Sequence, residues 1–342
     1  MIFLKTGERL FPALAILLLA ATATLQAESP KPLVVTATNA AANQLLVYSA
    51  NGTLLQTLST AGKGGASGNA GGIEAKNGMV AAVNFGSQSV SLFEREGDGM
   101  RLTQVLSTIT SPLSVAFGEG HLYVLGTTTI ESHAIYGHDV SNSADGVATL
   151  LKADGSAAQV GVLPGQLIIS EKSNTIETVQ LSDGAVTGSP VLVSNIPSNV
   201  NAPFGLVTRG DKAYVTIAHA NEISLVRHDT VLTVTGSGTQ SAPCWVTLVG
   251  PFLFSSNSPS MSVSRYVVFG NKIVQDEAVA ASLNGNPTDI AFGDGYVAVI
   301  DGNGTASHLS IFTVDRDGNL KLKIADTMGS GANGVAVVEG DD

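Results

Sequence analysis

From Leu33 to the end, the chain is written in short apolar runs broken by Gly, Asn or Asp. Leu45-Leu46-Val47-Tyr48, Ser89-Val90-Ser91-Leu92-Phe93, Ala213-Tyr214-Val215-Thr216-Ile217 and the run from Tyr296 to Ile300 have strand length and are rich in β-branched and aromatic residues. That pattern predicts strands rather than helices. Asn51-Gly52, Asp98-Gly99, Asp183-Gly184 and Asp317-Gly318 fall between such runs. Asx-Gly pairs supply the positive φ that two-residue hairpins require.

The runs are grouped into a phrase that returns about every 40–46 residues, a period characteristic of stacked sheets. Each copy opens on a small residue or proline. The clearest copies start at Pro112, Pro203, Pro243 and Pro287. This predicts an all-β, seven-bladed β-propeller of four-stranded antiparallel blades. The first unit, from Leu33 to Leu58, lacks an opening strand, and the C-terminus carries an orphan copy, Gly331 to Val338. A terminal strand joining the first blade would close the ring and hide a sheet edge. The third unit is the least regular, with an uneven outer part to about Val140. A β-sandwich or β-helix has a similar strand density, but neither predicts the orphan strand.

Ahead of the repeats, Lys5 and Arg9 precede the apolar run Leu10 to Leu19, and small residues follow. This order matches a secretory signal over residues 1–27, with cleavage after Ala27 or, alternatively, Ala23. A retained membrane anchor is the other reading. Residues 28–342 are then expected to form a single propeller domain, secreted or periplasmic, with no membrane span after cleavage. Cys244 is the only cysteine, so no internal disulfide can form. The formal charge of −11 makes nucleic acid a poor partner. An unknown small molecule or an extracytoplasmic protein is expected instead.

Propellers bind ligands where opening strands converge on the central channel. Glu74, Gln159, Cys244, Trp245, Thr288, Asp289 and Asn333 stand at or near those openings. Gln159, Trp245, Thr288 and Asn333 are candidate ligand contacts. Glu74, Asp289 and Glu171 are candidate acids or bases, or a ring for a cation. Such residues serve equally well to hydrate a channel or to bond the neighbouring blade. Trp245 fits a blade-junction aromatic as well as a ligand platform. The six histidines show no metal-binding spacing and are expected in solvated loops. No metal site and no cofactor are expected. Cys244 has the surroundings of an inert core thiol. Gly62 to Gly72 lacks the Gly-Lys-Ser/Thr of a phosphate cradle and is expected to be a flexible inter-blade loop.

Several segments carry a resemblance. Leu167-Ile168-Ile169-Ser170-Glu171-Lys172-Ser173-Asn174-Thr175-Ile176 resembles the "L-V-V-T-E-K-x-x-N-x-I" segment of exported lactonase-type seven-bladed propellers. Ala202-Pro203-Phe204-Gly205, Ala242-Pro243-Cys244-Trp245-Val246 with Ser256-Asn257, and Asn286-Pro287-Thr288-Asp289-Ile290-Ala291 follow in the family's order. That family includes carboxymuconate-lactonising enzymes and phosphogluconolactonases. The resemblance implies the propeller fold. Members with lactone chemistry resemble one another in a Pro-Arg-His opening strand and a glutamate just after the next strand. Here those places read Pro203-Phe204-Gly205 and Ala218-His219. The expectation is therefore a binding or scaffold propeller lacking the Arg/Glu site. The alternative is a lactone-acting enzyme, lactonase or muconate cycloisomerase-like, with a rebuilt acidic site at the channel mouth.

Overall fold

The computed structural model describes residues 1–3, 7 and 31–340. The expected leader, residues 1–27, lies outside the described residues apart from 1–3 and 7. Among the described residues no helix is long and apolar enough to cross a membrane.

Seven antiparallel sheets form a propeller ring. Blade 1 is built, from the channel outward, by Asn333–Val338, Leu33–Ala37, Gln44–Ser49 and Leu54–Ser59. The orphan C-terminal copy is thus its inner strand. Val34 pairs with Val337 and Val35 with Ala336, while the other edge of Leu33–Ala37 pairs with Gln44–Ser49. Arg95 on blade 2 reinforces this closure by donating to Lys31 O, Val338 O and Glu339 O.

The remaining inner strands are Ile73–Lys76, Pro112–Gly118, Ala157–Leu163, Pro203–Arg209, Pro243–Val249 and Asn286–Gly293 for blades 2 to 7. Blade 3 is irregular where the sequence is. Its outer edge is split into Asp139–Val140 and Gly146–Thr149, both paired with Thr129–Tyr136. The hairpin glycines adopt the expected left-handed φ, +80° at Gly52 and +84° at Gly184. In blade 2 the turn lies one residue earlier than the Asp-Gly pair suggests. Gly97 takes the positive φ and Gly99 already belongs to the outer strand.

Apolar side chains on both faces of each sheet fill the gaps between blades. Tyr123, Leu125 and Ile130 of blade 3, for example, pack with Leu167, Ile169 and Val179 of blade 4. Burial of these faces from water is the main force closing the ring.

Two repeat positions are buried and polar in several blades, at the end of the propeller where the inner strands begin. One lies opposite the opening residue, where Glu171 pairs with Ala157, Asn257 with Pro243 and Asp301 with Pro287. The other is on the third strand, occupied by Ser91, Glu131, Glu177, Ser224, Ser264 and Ser310 in blades 2 to 7. Several of these bond to the chain entering the blade. Ser91 Oγ donates to Thr60 O, Glu131 accepts from Ile109 N, and Glu177 accepts from Leu151 N at 2.9 Å. A loop carbonyl or amide buried at such a junction must find a partner, and these side chains supply it.

Candidate functional site

In six blades a bulge interrupts the inner strand near its start, at Leu113, Ala158, Phe204-Gly205, Cys244, Thr288 and Gly334. A bulge of this kind re-aims the side chain that follows it. Neighbouring inner strands do not pair with each other, so their free N–H groups need acceptors. Side chains provide them. Glu74 Oε2 accepts from Phe117 N (3.2 Å), Ser114 Oγ from Val160 N (3.3 Å), Gln159 Oε1 from Leu206 N (2.7 Å) and Asp289 Oδ2 from Val335 N (3.2 Å). At these four junctions the channel wall is fastened by one polar side chain reaching to the next strand.

These residues enclose a central cavity of ≈ 270 Å³. Glu74, Gln159, Trp245 and Asp289 line it, together with Phe117, Phe292, Thr208 and Thr247. Four of the seven sequence candidates therefore converge. Among the described lining residues, Glu74 and Asp289 are the only ionisable ones. Burial pushes the Glu74 carboxyl up to about 7, with the Phe117 N–H and the charge of Lys76 opposing it. Burial also pushes Asp289 up to about 7, against hydrogen bonds from the backbone of Ile290, Val335 and Gly71. Neutral carboxyls at physiological pH are the cheaper state where solvation is poor.

One end of the cavity is shut, and the segment that shuts it is the glycine-rich stretch. Gly62 to Gly72 is not a flexible loop. Asn69 and Ala70 are buried at 1% exposure. Asn69 Nδ2 donates to Leu113 O (2.7 Å), Asn69 O accepts from Trp245 Nε1 (3.1 Å), and Asn69 Oδ1 accepts from Asn333 Nδ2 (3.0 Å). Ala70 N donates to Ala158 O, Lys172 Nζ donates to Gly68 O, and Gly71 O accepts from Val115 N. The stretch thus touches blades 1, 3, 4 and 6 across the channel mouth. Small residues suit a segment that must pass this close to several backbones. The sequence signal was present as glycine content; its meaning depended on where blade 1 hands over to blade 2.

The other candidates fall outside the cavity. Thr288 Oγ1 donates to Ile300 O and Ala332 O. Asn333 holds the plug through Ala66 O and Asn69. Both are fastenings rather than cavity contacts. Glu171 is the clearest departure from expectation. It does not reach the channel, and no ring with Glu74 and Asp289 forms. It is fully buried in blade 4 beside Glu177, where Lys152 N donates to its Oε1. Glu171 Oε2 and Glu177 Oε1 are buried without a hydrogen-bond partner among the described residues, and burial plus the neighbouring Glu177 pushes Glu171 up to about 8; burial pushes Glu177 up to about 7. Its counterparts in other blades, Asn257 and Asp301, do the same local work on Ser264 and His308. The adjacent Lys172 does not reach Glu171, its Nζ donating to the carbonyls of Gly68 and Ala157.

Three histidines also depart from expectation. His121, His133 and His308 are buried on strands, not solvated in loops. His121 Nε2 bonds Asp145 Oδ2 and His308 Nδ1 bonds Asp301 Oδ1. Among the described residues no group of three or more His, Cys, Asp or Glu is placed to hold a metal. Cys244 is largely enclosed, and burial pushes its thiol up to about 12. A thiol so protonated is a poor nucleophile.

The places of the lactone-site residues are filled by packing. Phe204 sits edge-on to Trp245, ring centroids 5.2 Å apart, with Lys172 Nζ 6.0 Å over its other side. A Cβ built on Gly205 would collide with the Cys244 carbonyl and come 2.9 Å from Trp245 Cα. An imidazole at 205 has no room. Ala218 is buried and His219 exposed in a short 3₁₀ turn.

No family model and no curated protein sequence matches the chain. Solved structures do. The periplasmic gluconolactonase of Pseudomonas aeruginosa is 14% identical with a TM-score of 0.64, over 92% of this chain and 100% of that one. A protein from Lactobacillus plantarum is 14% identical with a TM-score of 0.69, over 91% and 100%. Virginiamycin B lyase from Staphylococcus aureus is 14% identical with a TM-score of 0.55, over 77% and 84%. The likeness is one of fold: a seven-bladed, lactonase-like propeller.

Proposed function

We propose that this protein is an exported, lactonase-like propeller that binds a ligand or partner rather than turning over a lactone. One observation carries the reading. The positions where lactone-acting relatives place arginine and histidine hold Phe204, packed on Trp245, and Gly205, pressed against the backbone of Cys244. A carboxylate or phosphate on a substrate needs a cationic clamp, and the described cavity lining supplies none. The leader-like N-terminus and the fold shared with a periplasmic gluconolactonase support an extracytoplasmic location. The test is a panel of sugar lactones, γ-lactones and carboxymuconolactone incubated with purified protein. No hydrolysis or isomerisation above the buffer rate is expected, while thermal shifts identify binders.

A second reading is favoured by Glu74 and Asp289. Two carboxyls pushed up to about 7 in one cavity have the protonation behaviour of an acid–base pair. Lactone turnover that disappears in both Glu74→Gln and Asp289→Asn would establish this reading in place of the first.

A further inference from the structure

The channel is closed at one end only. At the plug, Asn69, Ala70, Leu113 and Ala158 are buried. Toward the opposite ends of the inner strands, Ala75, Val162, Thr208 and Phe292 line the cavity and are partly exposed. The cavity is a cup whose mouth faces the turns that join inner to second strands. Trp245, Phe117 and Phe292 line it alongside Glu74 and Asp289. Asp289 is occupied by backbone N–H groups at both oxygens. Glu74 gives only Oε2 to Phe117 N, which leaves Oε1 without a donor among the described residues.

We propose that this cup takes a small organic cation, an alkylammonium head entering from the face opposite the plug and seated between Glu74 and the Trp245 ring. The inference rests on the binding reading above and gives it a ligand class. A carboxylate oxygen plus aromatic faces in a partly dehydrated cavity is the chemistry that recognises ammonium ions. Lys76, on the strand of Glu74, donates to Phe117 O at 3.3 Å and its charge favours the ionised Glu74 carboxylate from outside the lining, and Arg209 ends the inner strand of blade 5 as an exposed residue beyond the lining. An arriving cation favours the ionised form of Glu74. Binding then releases a proton, and affinity rises as pH rises toward and through 7.

The experiment is isothermal titration of the purified mature chain with choline and putrescine, and with glucono-δ-lactone and gluconate as uncharged and anionic probes. Choline or putrescine is expected to bind, about tenfold more tightly at pH 8 than at pH 6, one proton per site being a tenfold effect per pH unit below the pKa. Glu74→Gln should weaken binding about tenfold or more and remove the pH dependence, with unchanged far-ultraviolet circular dichroism. A bulky maleimide on Thr208→Cys at the mouth should abolish binding, Cys244 being unreactive. Absence of ammonium binding, or binding indifferent to Glu74→Gln and to the capped mouth, overturns the inference. Binding of glucono-δ-lactone alone sinks the cation and leaves the binding propeller standing. Turnover of the lactone sinks the proposed function itself.

Discussion

Asn333 Nδ2 donates to Asn69 Oδ1 at 3.0 Å across 264 positions of chain. The same amide also donates to Ala66 O at 3.3 Å, so the strand that closes the ring and the segment that closes the channel meet at one side chain. Closure of the torus and closure of its bore are one event in this fold.

Removing that meeting point should loosen both. Asn69→Ala deletes the donors to Leu113 O and the acceptor for Asn333 while leaving the carbonyl that Trp245 uses. Buried partners left unsatisfied cost about 1–3 kcal/mol each. A lower melting temperature is expected, with increased acrylamide quenching of Trp245, the only tryptophan in the chain. Unchanged quenching would mean that the plug does not depend on this residue.

Truncation before Asn333 removes the inner strand of blade 1 and exposes Leu33–Ala37 as an open edge. Such edges pair with other chains. The truncated protein is expected to be expressed insoluble or oligomeric, and supplying the 331–340 peptide should recover monomer on size-exclusion chromatography.

The Glu171–Glu177 pair makes stability fall as pH rises. Both folded pKa values lie above the ordinary glutamate value, so between about 4.5 and 8 the folded state holds more protons than the unfolded state. Stability then declines with pH across that window. Glu74 and Asp289 act in the same direction up to about 7. Glu171→Gln keeps an acceptor for Lys152 N and can donate to Glu177. Urea titrations should show a flatter pH dependence for this variant and a gain over the parent at pH 8, with little difference at pH 5. A parent protein whose stability rises from pH 5 to pH 8 would contradict the pairing.

Cys244 should be silent toward thiol reagents. With its thiol pushed up to about 12 by burial, Ellman's reagent is expected to modify well under a tenth of the native protein in an hour and all of it in guanidinium. Rapid native labelling would place the side chain in solvent.

Restoring the lactone-site residues should not restore a lactone site. Phe204→Arg with Gly205→His puts a side chain into the space of the Cys244 carbonyl and strips the aromatic contact from Trp245. Overpacking of this kind costs about 1–3 kcal/mol. A lower melting temperature and no lactonase rate are expected.

The strands, the hairpin glycines and the closing strand were legible because they are local. Each strand announces itself by composition, several turns by an Asx-Gly pair, and the orphan Asn333–Val338 by being one strand too many. Even the irregular blade 3 was visible in the loss of phrase regularity. The candidate site was legible by half. Glu74, Gln159, Trp245 and Asp289 meet in the cavity because they follow the opening of inner strands, a position the repeat identifies. Glu171 did not, because the end of a second strand lies away from the axis, and only pairing shows that it belongs with Asn257 and Asp301.

Periodicity along the chain was enough to specify an all-β ring of seven blades, since each blade is a local object that must bury its faces against copies of itself. The fate of the bore was decided by tertiary structure alone. Whether a glycine-rich linker swings free or lies across the channel depends on hydrogen bonds to four blades distant in sequence, and no local pattern encodes those partners. The protonation of Glu74, Asp289 and Glu171 was decided there too, because it follows from how much solvent and which neighbours the folded chain leaves around each carboxyl.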